Sequence, residues 1–139
     1  MVSPNKFYIR NFSDQKNLNY LLNFEDFDPS SSLIYEFLIE KCEGGFFICD
    51  RSGLMCVVYD CNAKETVNLR LADKDKITDV NSALWLLDEN SDGATVIRSY
   101  NNPEMVWTSF QSSLPFCRAV LAPFETLNKN QLLLIEVAY

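Results

Sequence analysis

The sequence predicts an all-β fold, a β-trefoil of about twelve strands in three pseudo-repeats, with residues 1–139 as one domain. Three observations predict it. Apolar residues alternate with polar ones over short stretches and never hold a helical period for long. Turn-forming residues recur between those stretches. Two short motifs then return, in a fixed order, about every 40–50 residues.

The first repeat opens on Phe7-Tyr8-Ile9-Arg10, turns at Ser13-Asp14-Gln15 and closes on Phe37-Leu38-Ile39-Glu40. Between them, Glu25-Asp26-Phe27-Asp28-Pro29-Ser30-Ser31-Ser32 is too polar for a full third strand, so an irregular loop or a very short strand is expected. Gly44-Gly45 marks the turn into the second repeat, which opens on Phe46-Phe47-Ile48-Cys49 and turns again at Ser52-Gly53. There Val67, Leu69 and Leu71 alternate with Asn68 and Arg70, as on a half-buried strand, and Trp85-Leu86-Leu87-Asp88 ends the unit. The third repeat follows Ser91-Asp92-Gly93 with Thr95-Val96-Ile97-Arg98, turns at Asn102-Pro103 and closes on Leu133-Leu134-Ile135-Glu136. Threefold equivalence puts Ile9, Ile48 and Ile97 in one core layer and Phe37, Trp85 and Leu133 in another. One unit cannot bury its own apolar face; three close a barrel and remove its edges.

Composition narrows the function. The net charge is −7 and the 12 basic residues are scattered, which argues against nucleic acid and against anionic membranes. No apolar run approaches the roughly 18 residues of a spanning helix. A soluble monomer is expected. The opening Met-Val-Ser-Pro-Asn-Lys lacks the layout of a secretory signal, so a cytosolic chain, one exported without a leader, or a matured form is expected. Cys42, Cys49, Cys56, Cys61 and Cys117 are odd in number, show no CxxC pairing and sit among apolar neighbours, which predicts buried free thiols.

Chemistry is sparse. With no histidine, the commonest general base and metal ligand is missing, and a Ser-His-Asp or Cys-His arrangement is impossible within the chain. The cysteine spacings match no zinc site. Only four glycines occur and none has phosphate-loop spacing. Asp88-Glu89-Asn90-Ser91-Asp92-Gly93 matches the first half of an EF-hand loop, but Ser99 stands where the bidentate Glu belongs, so an acidic hairpin turn is expected. Asp73 with Asp75, and Glu25 with Asp26, read as solvated turns. Asn11-Phe12-Ser13 is a formal glycosylation sequon. Binding rather than catalysis is the expectation, with no cofactor.

Two trefoil families leave traces. Met55-Cys56-Val57-Val58 is similar to a strand of ricin-type lectins, which carry Gln-x-Trp in each repeat and an acidic sugar ligand beside the second strand. Here Ala83-Leu84-Trp85 has lost the Gln, and Val58 stands at the acidic position. The chain resembles the interleukin-1 family more broadly. Leu54-Met55-Cys56-Val57-Val58-Tyr59, followed by Glu65-Thr66-Val67-Asn68-Leu69-Arg70-Leu71, is similar to that family's central hairpin. Asn102-Pro103-Glu104-Met105-Val106-Trp107-Thr108-Ser109 is similar to its Pro-Gly-Trp-Phe segment, with the aromatic displaced. Ile9-Arg10-Asn11-Phe12-Ser13-Asp14-Gln15 and Phe24-Glu25-Asp26 resemble the interleukin-18 branch.

That resemblance implies an inflammatory cytokine, secreted without a signal peptide from a cytoplasmic pool. It implies immunoglobulin-domain receptor chains, or a soluble decoy binding protein, as partners. It places receptor-binding residues at Lys6, Arg10, Asp14, Glu25, Asp26 and Asp28. Two departures bear on receptor choice: the abrupt turn at Cys42-Glu43-Gly44-Gly45, and Leu114-Pro115 where an acidic residue is expected before Phe116. From the residues alone, Arg10 and Asp14 can equally pair with each other on the surface, worth about 0–1 kcal/mol. A ricin-type carbohydrate-binding lectin is the alternative function, and a trefoil protease inhibitor or decoy a further one.

Overall fold

The alternating runs become strands in a computed structural model that describes residues 6–60, 66–111 and 117–138. The first repeat holds β1 (Lys6–Asn11), β2 (Asn17–Leu18), β3 (Asn23–Glu25) and β4 (Phe37–Cys42). The second holds β5 (Gly45–Asp50), β6 (Met55–Val58), β7 (Val67–Asn68), β8 (Arg70–Asp73) and β9 (Trp85–Glu89). The third holds β10 (Thr95–Ser99), β11 (Met105–Gln111), β12 (Cys117–Pro123) and β13 (Leu133–Val137). Cys61, Glu65, Leu114, Pro115 and Phe116, which entered the sequence reading, lie outside the described residues.

The first and last strands of each repeat make a closed ring. β1 pairs with β13 and β4, β4 with β5, β5 with β9, β9 with β10, and β10 with β13, all antiparallel. The inner strands form the hairpins β2–β3, β6–β8 and β11–β12, with β12 pairing to β3 and β7. This is a β-trefoil. The thirteenth strand arises because the third strand of the second repeat changes partner at buried Leu69: Val67 and Asn68 face β12, whereas Arg70 onward face β6. The polar stretch of the first repeat leaves β3 three residues long, as its composition dictates.

Both expected core layers are present. Ile9, Ile48 and Ile97 are fully buried, and so are Phe37, Trp85 and Leu133. Leu18, Val57 and Trp107, from the second strands, are also fully buried. Trp107 meets Trp85 edge to face at 5.3 Å; Trp85 Nε1 donates to the Val57 carbonyl at 3.2 Å, whereas the buried Trp107 Nε1 has no hydrogen-bond partner. Gly45 is needed for close approach: a Cβ there would lie 2.8 Å from the Trp85 carbonyl oxygen.

Each repeat enters its last strand through a 3-10 segment, Pro29–Tyr35, Val80–Ala83 or Lys129–Gln131. Each is capped by an Asp or Asn side chain that accepts from the amide two residues on: Asp28 from Ser30, Asp79 from Asn81, Asn128 from Asn130.

The free-thiol expectation fails for one pair. Cys49 and Cys56 face each other across β5 and β6, with Cα atoms 3.9 Å apart, and form a disulfide. Strand register makes that pairing, and a spacing of seven residues does not reveal it. Cys42 and Cys117 are free.

Candidate functional site

The larger cleft, about 720 Å³, lies in the second repeat between the β6–β8 hairpin and the 3-10 segments that follow it. Val58, Tyr59, Leu71 and Ile77 supply apolar surface; Asp60, Arg70, Lys76 and Thr78 bring polar groups to it, together with Asp73, Asp79 and Ser82. Local capping positions several of these. Asp73 Oδ1 accepts from the Asp75 amide at 3.1 Å and Asp79 Oδ1 from the Asn81 amide at 3.2 Å, so each cap engages one of two carboxylate oxygens. Ser82 Oγ donates to the Asp79 carbonyl at 2.7 Å, and Tyr59 OH shares a 2.6 Å hydrogen bond with Ser99 Oγ. Three acids beside two bases make a nearly balanced field, suited to a neutral ligand rich in hydroxyls.

One position differs among the three repeats. Tyr35, Ala83 and Gln131 each stand two residues before the buried Phe37, Trp85 and Leu133. Tyr35 OH reaches Glu25 Oε1 at 3.2 Å. Gln131 donates to the Pro123 carbonyl at 2.9 Å and Thr108 Oγ1 at 3.2 Å, and accepts from the Glu125 amide at 2.8 Å. Ala83 has no side-chain polar atom to make such bonds. Gln131 is also the one Gln at the Gln-x-Trp position, missed in sequence because Leu133 replaces the aromatic.

A smaller cleft of about 340 Å³ is lined by Tyr8, Arg10, Gln15, Asn17, Phe27 and Glu136. Of the residues the cytokine resemblance singled out, it gathers Arg10 alone. Arg10 pairs with Glu136 across the β1–β13 seam. Asp14 instead accepts from the Lys16 amide at 3.0 Å, so Arg10 and Asp14 do not pair with each other. Lys6 begins β1 and accepts from the Ala138 amide at 2.9 Å. Glu25 accepts from Asn19 Nδ2 at 2.8 Å and from Tyr35, Asp26 offers its carbonyl to Tyr35 OH, and Asp28 caps its 3-10 segment. The sequon residue Asn11 is fully buried, so a glycan cannot be carried there in the folded protein. The 88–93 segment is a hairpin turn held by Asn90 Oδ1, which accepts from the Asp92 and Ala94 amides. Among the described residues no group of three or more His, Cys, Asp or Glu is placed to hold a metal ion.

No family model and no curated protein sequence matches the chain. Solved structures do. SeviL bound to asialo-GM1 saccharide is 16% identical with a TM-score of 0.73, over 99% of this chain and 100% of that one. The Macrolepiota procera ricin B-like lectin in complex with lactose is 10% identical with a TM-score of 0.74, over 99% of each chain. A mosquitocidal holotoxin is 15% identical with a TM-score of 0.77; it matches all of this chain, which spans 18% of the holotoxin's. These likenesses establish the β-trefoil.

They also correct the cytokine reading. The full-length structural likeness runs to a protein named as a ricin B-like lectin and to one named for a bound saccharide, so the interleukin-1 family and interleukin-18 assignments are withdrawn. The immunoglobulin-domain receptor and decoy-protein partners and the inflammatory role go with them. The misleading motif has a fold-level cause. In Ile9-Arg10-Asn11-Phe12-Ser13-Asp14-Gln15, Ile9 and Asn11 are core, Arg10 ties the seam and Asp14 holds the turn. Each of these residues therefore has a structural role in this chain's first strand and turn.

Proposed function

We propose that the domain binds carbohydrate through the cleft of the second repeat and acts by recognition, without catalysis. The observation that carries this is the cleft's make-up: hydrogen-bond donors and acceptors of both charges surround an apolar floor beside β6, the strand similar to that of ricin-type lectins. Val58 lies in the cleft wall, and the carboxylates come from Asp60, Asp73 and Asp79 instead. Neighbours named for a bound saccharide and for lactose support the same class of ligand. A protein of this kind works outside the cell or at its surface, and the Cys49–Cys56 disulfide supports an oxidising setting.

The test is retention on a glycan array, competed by free sugar. Asp60→Asn and Arg70→Ala alter exposed side chains of the cleft and should each weaken retention about tenfold while leaving the circular dichroism unchanged. An array that retains nothing, or retention indifferent to both substitutions, rejects the reading.

A further inference from the structure

The three last strands carry an acid at one equivalent place, three residues after Phe37, Trp85 and Leu133: Glu40, Asp88 and Glu136. Each is paired with a cation. Glu40 meets Lys74 at 3.2 Å, Asp88 meets Arg98 at 3.1 Å, and Glu136 meets Arg10. Two of these cations are covered by an aromatic ring: Lys74 Nζ lies 5.1 Å from the Phe47 centroid, and Arg98 Cζ lies 4.7 Å from that of Phe124.

The third pair differs. Phe27 stands three residues after Phe24, as Phe124 stands three after Leu121 in the matching strand. Rather than covering Arg10, Phe27 packs on Tyr8 at 5.5 Å and Tyr35 at 4.9 Å. The cleft of about 340 Å³ opens beside the Arg10–Glu136 pair, with Phe27 39% exposed on its wall. Arg10 lines that cleft, and its Nε is buried without a hydrogen-bond partner, so the ion pair leaves part of the guanidinium's donor capacity unmet. Gln15, on the cleft's rim, is held at a φ of 65°, a left-handed conformation uncommon for a residue with a side chain.

We propose that this seam between β1 and β13 is a second saccharide site, taking one neutral pyranose ring. The inference rests on the carbohydrate reading above but not on the second-repeat cleft. An ion pair offers donors and acceptors together without net charge, which matches vicinal hydroxyls and disfavours a free anion. Phe27 and Tyr8 supply the apolar surface that the C–H face of a pyranose needs. A cleft near the lower end of the roughly 300–1,000 Å³ range of ligand sites suits a single ring.

The experiment is a ¹H–¹⁵N NMR titration of the full chain with the methyl pyranosides of galactose, glucose, mannose and N-acetylglucosamine. The expected result is saturable shifts at Tyr8, Arg10, Gln15 and Phe27 with at least one sugar. Arg10→Met should weaken that set about tenfold and leave shifts around Asp60 and Arg70 intact. Phe27→Ser, at an exposed ring, should do the same should the first variant fail to fold. Shifts confined to the second-repeat cleft overturn the seam site and leave the carbohydrate reading standing. Shifts confined to the seam support it and overturn the second-repeat cleft. Silence at both, up to the solubility limit of every sugar, overturns both.

Discussion

Tyr35 shows how much one side chain organises. Its ring is buried, and its hydroxyl accepts from the Asp28 amide and reaches Glu25 and the Asp26 carbonyl. Burial, with Glu25 nearby, pushes its phenol above the usual value. The folded chain therefore holds that proton more tightly than the unfolded chain does. The stabilisation is complete below the ordinary phenol pKa of about 10 and is lost as pH rises through the folded value. Tyr20 is raised too, again chiefly by burial. Urea midpoints measured between about pH 8 and about pH 11 should fall at the alkaline end, and Tyr35→Phe should flatten the fall. A profile with no alkaline decline would contradict this assignment.

Among the elements, the β4–β5 hairpin is the most exacting. Its strands pair from Phe37 with Asp50 down to Cys42 with Gly45, and Gly45 then sits under the Trp85 carbonyl. Gly45→Ala should cost about 1–3 kcal/mol in chemical denaturation, because backbone atoms must move to admit the methyl group. A loss of a few tenths of a kcal/mol would show that β9 yields there easily. The core layers were legible in the sequence because Ile9, Ile48 and Ile97 recur in similar strands, and so do Phe37, Trp85 and Leu133. The 3-10 segments were not legible, because Asp28 read as part of an irregular loop and the caps at Asp79 and Asn128 show only in their capping bonds. Both clefts escaped for a different reason. Their walls join residues as distant as Tyr8 and Glu136, or Asp60 and Ser82, and no local spacing links such pairs.

Across the whole molecule, the ring of strands matters more than where the chain happens to be cut. The Ala138 amide donates to the Lys6 carbonyl at 2.9 Å, so the two ends of the described fold are neighbours. The 91–93 turn is exposed, and its glycine has open space around it. A circular permutant that joins the ends through a short linker and opens at that turn should keep the native circular dichroism and a cooperative thermal transition. A permutant that loses cooperativity would show that the β9–β10 turn is needed to assemble the barrel.

The β1–β13 pairing has one further consequence, for the time at which the protein becomes itself. Phe7 finds Val137, and Asn11 finds Leu133. Until β13 has been synthesised, β1 has no β13 to pair with and the barrel is an open sheet with bare edges. Contacts this distant in sequence form slowly, and exposed edges invite pairing with other chains. The nascent barrel thus carries its greatest risk of aggregation until β13 has emerged, and the ring of strands closes only then.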